Sequence, residues 1–263
     1  MSNLSPIGFF DSGVGGTSIW KEVISLLPQE NTIYLADSAN APYGEKPAKE
    51  IIALSIKNTE KLLELGCKLI VVACNTATTN AISYLRASYP ISFIGIEPAI
   101  KPAALSSQTK VIGILATRGT LSSELFYKTS ELYARDISII EVEGKGLVKL
   151  IEAGKHRSDE IKELLLKLLA PMLDASIDYL VLGCSHYPYL LPVLKSILPP
   201  EVSIIDSGEA VARQTKKILE ENQVLNTTTL DTQHRFYTNV EPKVLRELTE
   251  ADKFGYEVSY LRF

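Results

Sequence analysis

Cysteine, tryptophan and methionine are scarce in this chain: three, one and two among 263 residues. Three thiols in a chain this long make no disulfide framework, so free thiols are expected. No CxxC pair occurs, and the spacing of Cys67 and Cys74 matches no metal-ligand pattern. No apolar run approaches the ~18 residues that a membrane span requires. The opening stretch MSNLSPIGFF lacks the basic flank and long apolar core of a secretion signal. Basic residues are not in excess; the net charge is −4, and no basic block offers itself to nucleic acid. No low-complexity segment and no Gly/Ser linker divides the chain. These absences point to a cytoplasmic protein with neither membrane nor nucleic acid as partner.

With 46% hydrophobic residues, the chain can build one large core or two smaller ones. Short apolar runs alternate with stretches of helical period. PIGFF leads through DSGVGG into a helix from Thr17 to Leu27. TIYLAD is followed by a long amphipathic segment that stops at Gly66, a natural C-terminal glycine. KLIVVAC, SFIGI, KVIGILAT, ISIIEV, DYLVLGC and VSIIDSG continue the pattern. Helices are expected near Ala77, from about Pro98, around 158–174 and near Leu190. Strands alternating with helices predict an α/β fold of parallel sheets covered on both faces. The polar stretch 222–233 reads as a surface loop, and HRFYTN and YEVSYLRF as short edge strands.

Part of the design is repeated. YLVLGCSHYP copies LIVVACNTAT: apolar strand, cysteine, two polar residues, then a helix. IIDSGEAVA likewise echoes FFDSGVGGT. Two like units imply two lobes, each a mainly parallel sheet flanked by helices. Ligands of such sheets bind where strands end and helices begin. Cys74 and Cys184 both stand at such ends and would face each other across one cleft.

Each candidate has a plain structural reading beside the chemical one. A lone cysteine usually only packs; two at matching positions, each followed by polar residues, favour chemistry. A helix N-terminus beyond each strand would favour the thiolate. Cys67, placed before its strand, is structural. Asp11 in DSGVGG is either a turn cap or the neighbour of a reacting group, with the glycines allowing a ligand close approach. The loop lacks both the full dinucleotide fingerprint and a P-loop lysine. His186, two residues from Cys184, is a candidate proton handler, whereas His156 and His234 read as surface or fold residues. Glu152 is either the polar face of a short helix or a functional acid. Tyr43-Gly44 reads as a turn, and Thr117 and Thr120 as helix caps.

FDSGVGG, LADSANAPYG, VVACNTAT, LATRGTL, GCSHYP, IDSGEAVA and FYTNVEPKV together make the chain resemble the glutamate racemase family over nearly its full length. The resemblance implies two pseudo-symmetric lobes with the active site in the cleft between them: a discontinuous first lobe, residues 1–96 with 208–263, and a second lobe, 97–207. It implies cofactor-independent interconversion of L- and D-glutamate, which feeds peptidoglycan synthesis, with no metal. Cys74 and Cys184 match the catalytic acid/base pair, supported by Asp11, His186 and Glu152. Asp11, Ser12, Tyr43, Gly44, Asn75, Thr76, Thr117, Thr120, Ser185 and His186 match substrate-contact positions. A homodimer is expected. Two departures stand out: Ser185 where the family commonly has threonine, and Gly144-Lys145 before Glu152 where it often has Cys-Pro.

The chemistry suits the residues. Racemisation removes a proton from one face of the α-carbon and returns one to the other. Two opposed groups do this without crossing the substrate, and a thiol with a pKa of ~8.5 is accessible as acid and as base. Three rivals remain: an aspartate racemase with a shorter pocket, a cysteine hydrolase using Cys184 and His186, and a binding protein without catalysis.

Overall fold

The computed structural model describes residues 3–133, 136–228 and 232–263. Among the described residues the apolar runs become ten strands: β1 (Ile7–Asp11), β2 (Thr32–Ala36), β3 (Leu69–Val72), β4 (Ser92–Gly95), β5 (Val111–Ala116), β6 (Ser138–Glu143), β7 (Tyr179–Gly183), β8 (Ser203–Ile205), β9 (His234–Thr238) and β10 (Glu257–Tyr260). Strands β1, β2 and β3 are buried along their whole length. Covered on both faces, they carry unbroken apolar sequence rather than alternation.

A six-stranded sheet has the order β10-β9-β2-β1-β3-β4, and a four-stranded sheet the order β6-β5-β7-β8. Every pairing in both is parallel. The block β2-β1-β3-β4 has the same topology as β6-β5-β7-β8, which is the physical content of the repeat. Cys74 and Cys184 each follow the third strand of their unit. The second echo has a different origin. FFDSGVGGT leaves the first strand of one unit, but IIDSGEAVA leaves β8, the fourth strand of the other. By register the counterpart of Asp11 is Ala116, the last residue of β5, and that of Ser12 is Thr117. IIDSGEAVA instead carries the chain back: the Ser207 hydroxyl donates to the Glu97 carbonyl. The helix Gly208–Glu221 then packs on the helix Thr17–Leu26 of the first unit. The predicted edge strands extend the larger sheet beyond β2, with β9 beside it and β10 outermost.

Local chemistry sets the helix ends. The helix Ala48–Glu64 closes with Gly66 in the left-handed region, φ 79°, as the apolar pattern implied. Ser158 caps the helix Asp159–Asp174 by accepting from the Ile161 N–H at 3.3 Å. Residues 222–228 form neither helix nor strand, as expected for a loop; residues 229–231 of that stretch lie outside the described residues. One core cluster runs without a break from Phe9, Trp20 and Tyr34 around the larger sheet to Leu115, Leu147 and Leu182 around the smaller. The two units therefore pack directly on each other, and the carboxyl ends of β1 and β3 meet those of β5 and β7. No helix among the described residues is long and apolar enough to cross a membrane.

Candidate active site

Cys74 is the N-cap of the helix Asn75–Ser88, and its sulfur accepts from the Ala77 N–H at 3.4 Å. The helix begins two residues earlier than its apolar pattern indicated. Cys184 is different. It is followed by a short 3-10 turn, Tyr187–Leu190, before the helix Leu191–Ile197. The helix N-terminus expected there is absent, and a histidine takes its place: His186 Nδ1 lies 3.8 Å from the Cys184 sulfur. Both thiols are nearly closed off, at 4% and 6% exposure, and each cysteine is free.

Asp11 is wholly buried between the two. Its Oδ2 accepts from the Gly13 and Gly16 N–H groups at 3.2 and 3.0 Å, so the cap reading holds. Its Oδ1 accepts from the Ser185 hydroxyl at 3.1 Å, across the cleft. Glu152, the last residue of the helix Leu147–Glu152, projects into the same network. Its Oε1 accepts from His186 Nε2–H at 2.6 Å and from the Val14 N–H at 2.7 Å. Its Oε2 accepts from the Ser38 hydroxyl at 2.7 Å. His186 therefore stands with Nε2 on Glu152, Nδ1 toward Cys184, and Asp11 Oδ2 at 3.9 Å.

Charge and burial act unequally on these groups. Burial, joined by the Asp11 charge and the nearby Cys184, pushes the Cys74 thiol well above its usual range, against the Ala77 and Ser12 N–H groups. Burial also raises Asp11, partly opposed by His186 and the Gly16 N–H. For His186, burial disfavours the cation, yet Cys184, Glu152 and Asp11 together hold its pKa well above the ordinary value. Cys67 is pushed by burial to about 12 and lies away from the cleft against Gly8 and Leu62, as a structural thiol should.

The glycine loop has a use that its sequence did not disclose. A Cβ on Gly13 would stand 2.0 Å from Glu152 Oε1, and one on Gly15 would stand 2.1 Å from His186 Nδ1. The close approach made possible at these two glycines is to side chains of the other unit. Gly44 plays the same part at the mouth, where a Cβ would lie 2.6 Å from Thr117 Cβ.

The other predicted residues assemble nearby. Thr76, Thr117 and Thr120 form a triangle of hydroxyls with sides of 2.7, 3.3 and 3.1 Å, joining the two units. Thr117 also caps the turn Arg118–Leu121, as its sequence position implied. Asn75 is buried with neither amide atom in a hydrogen bond. Such a group is costly unless it meets a partner that arrives later. Ser12 is buried with its N–H toward Cys74. The Tyr43 hydroxyl is taken up elsewhere: it donates to Asp37 and accepts from Asn58 at 3.0 Å. Only its ring or backbone is left to meet a ligand. At the departure Gly144, a Cβ would come within 2.1 Å of the Tyr187 hydroxyl, which donates to the Gly144 carbonyl at 3.3 Å. The missing side chain is matched by a tyrosine that fills its place.

Three contacts across the cleft had no signal in the sequence. Thr17 Oγ1 meets the Tyr189 hydroxyl at 2.5 Å, the Ser18 hydroxyl donates to the Ser185 carbonyl at 2.8 Å, and Ser38 reaches Glu152. Polar residues just past a strand are common, and which of them reaches across is decided by packing. His234 is half-buried, edge-on to Trp20 and beside Thr32, as a fold residue.

Two like parallel α/β units thus close on a pair of buried thiols, with a carboxylate beside one and a histidine beside the other. The family model described as Asp/Glu/Hydantoin racemase matches residues 17–215, and the chain belongs to that family. A glutamate racemase of Herpetosiphon aurantiacus is 45% identical over 237 residues, covering 90% of this chain and 93% of the relative. The crystal structure of glutamate racemase isoform RacE1 from Bacillus anthracis superposes with a TM-score of 0.86 at 30% identity, covering 98% of this chain and 97% of that one. That of Escherichia coli glutamate racemase, in complex with L-glutamate and the activator UDP-MurNAc-ala, also gives 0.86, at 32% identity and 97% of both chains.

Proposed function

We propose that the protein interconverts L- and D-glutamate by two-base proton transfer, with Cys74 and Cys184 on opposite faces of the α-carbon, and that it supplies D-glutamate for peptidoglycan synthesis in the cytoplasm. The observation that carries this reading is the pair of thiols at topologically equivalent strand ends, each with its own proton-handling partner in one buried network. Cys74 takes the α-proton of D-glutamate and Cys184 that of L-glutamate; in each direction the other thiol returns a proton to the opposite face. Asp11 serves the Cys74 side. His186, held by Glu152, serves the Cys184 side. The unpartnered Asn75 amide, the three threonine hydroxyls, Ser12, Ser185 and the Tyr43-Gly44 backbone hold the substrate and its developing negative charge. A cysteine hydrolase would use Cys184 and His186 but would leave Cys74 and its buried carboxylate without a purpose.

In this reading neither metal nor cofactor takes part, because the thiols themselves store the protons. The lobes are residues 1–96 with 208–263, and 97–207, and two copies form a homodimer, which sedimentation equilibrium checks. The decisive measurement uses purified protein without added cofactor. Optical activity of a glutamate solution should decay to zero from either enantiomer, with solvent deuterium appearing at the α-carbon. Activity lost on exhaustive chelation, activity that requires pyridoxal phosphate, or faster turnover of aspartate would each overturn the corresponding part of the proposal.

A further inference from the structure

Glu152 belongs to the second unit, yet two of its three hydrogen bonds come from the first: the Val14 N–H at 2.7 Å and the Ser38 hydroxyl at 2.7 Å. Oε1 is shared between Val14 and His186, while Ser38 is the partner of Oε2. The last torsion of a glutamate side chain is broad. With Oε1 alone held, the carboxylate plane can turn about that anchor; a second bond on Oε2 sets the plane, and with it the direction of the bond to His186. Ser38 is placed to do this firmly. It follows Asp37, whose N–H donates to the Asp11 carbonyl at 3.1 Å. The Asp37 carboxylate also takes Asn40 at 2.8 Å, Lys57 at 3.0 Å and Asn239 at 2.6 Å. The next residue, Ala39, donates its N–H to Asn239 at 2.8 Å. The turn bearing Ser38 is thus tied to β1 and to the loop after β9.

We infer that Ser38 is a positioning residue for the Cys184 half of the reaction: its hydroxyl orients the Glu152 carboxylate and, through it, the His186 ring that exchanges protons with Cys184. Donor and acceptor lie in different units, so the contact is made only when the cleft is closed. Closure thereby completes the Cys184 relay. The Asp11–Cys74 pair is built within the first unit and does not need this contact. The inference rests on the two-base reading above. A hydroxyl that merely tied the units together would affect both halves alike.

Net racemisation cannot separate the halves, because each turnover uses both thiols. Elimination can. From a glutamate bearing chlorine on Cβ, one thiolate removes the α-proton, the C–H electron pair becomes the Cα–Cβ double bond, and chloride leaves; one base suffices. The experiment measures elimination from the L- and D-forms of 3-chloroglutamate by the parent enzyme, Ser38→Ala, and the near-isosteric pair Ser38→Thr and Ser38→Val. Thermal melting of each variant runs alongside. Removing a hydrogen bond to a charged group should slow elimination from the L-form about tenfold or more, in Ser38→Ala and in Ser38→Val. The D-form should stay within about twofold, and Ser38→Thr should restore the L-form rate. Equal losses from both enantiomers, or Ser38→Thr no better than Ser38→Val, overturn the assignment while leaving two-base catalysis standing. Should Ser38→Ala fail to fold, the Thr/Val comparison carries the test alone. Failure of the parent enzyme to process either enantiomer overturns the two-base reading, and this inference with it.

Discussion

Cys74 and Cys184 are the same side chain in unlike surroundings. Cys74 is buried beside the Asp11 carboxylate, and both effects keep it a thiol well past neutrality. Cys184 faces a histidine whose pKa, against the effect of burial, is raised by two carboxylates and the sulfur itself. At rest the cleft therefore offers an acid on the Cys74 face. Two predictions follow at this scale. Cys74→Ser and Cys184→Ser should each lower racemisation by roughly 10²–10⁴-fold, the usual worth of a positioned proton-transfer group. With the chlorinated substrate, Cys74→Ser should still act on the L-form and Cys184→Ser on the D-form. The same preference in both variants would rule out the two-base assignment, and a reversed one would show the faces exchanged. The second concerns pH. Below a raised pKa, the thiolate fraction grows about tenfold per pH unit. Elimination from the D-form, which needs the Cys74 thiolate, should climb steadily between pH 6 and 8. A flat profile for that enantiomer would mean that Cys74 is not its base.

Among the elements, the DSGVGG loop and β9 make opposite cases. Two of the loop's glycines make room for the other unit, since a methyl at Gly13 or Gly15 overlaps Glu152 or His186, whereas Gly16 makes room for Ala73 and Tyr34 of its own. Gly13→Ala and Gly15→Ala should fold, because the clash lies in the cleft rather than in the sheet. They should lose about a hundredfold or more in kcat/KM, the scale of an ångström's misplacement at a reacting centre. Steady-state kinetics together with melting curves check both halves of that statement. In β9, His234 is half-buried against Trp20, and that burial pushes its pKa down to about 4. The unfolded chain binds that proton near pH 6.5, so stability is lost as pH falls through the window from about 6.5 to 4. The loss between pH 7 and 5 is about 2 kcal/mol. His234→Phe keeps an aromatic ring against Trp20 and removes the titration, so its melting midpoint should fall less over that range than the parent's. Parallel declines in the two proteins would exclude His234 as the source.

At the scale of the whole molecule, access is the issue. The cavity beside Gly44 and Thr117, with a volume of about 20 Å³, has room for one water and is lined by neither thiol. Both thiols are almost fully covered. The units must part for substrate to reach them and close again for the Glu152, His186 and threonine contacts to form, which also excludes water from the reacting centre. Alkylation therefore reports opening. Without substrate, Cys74 and Cys184 should be modified at the rate at which the cleft opens; saturating glutamate should protect both. Cys67, away from the cleft and held protonated up to about pH 12, should react slowly and change little. Equal protection of all three thiols by peptide mapping would indicate general stabilisation instead of a shared cleft.

Much of this protein is determined by sequence alone. Unbroken apolar runs alternating with amphipathic stretches dictate parallel sheets under helices, because a strand buried on both faces has no polar side to show. The repeated strand-cysteine unit puts a thiol at the end of the third strand in each half. Tertiary structure decided what adjacency in sequence conceals. The echo between IIDSGEAVA and FFDSGVGGT is similarity without topological equivalence, since the two leave non-corresponding strands. No local pattern announces that a 3-10 turn separates Cys184 from its helix and leaves a histidine beside the thiol, or that Tyr43 spends its hydroxyl on Asp37. Nor does one announce that Val14 and Ser38 grip a carboxylate 138 and 114 residues away. Periodicity is a local property and survives in the string. A contact between two units depends on how their surfaces meet, and many polar residues near strand ends are equally suited to it until packing selects one.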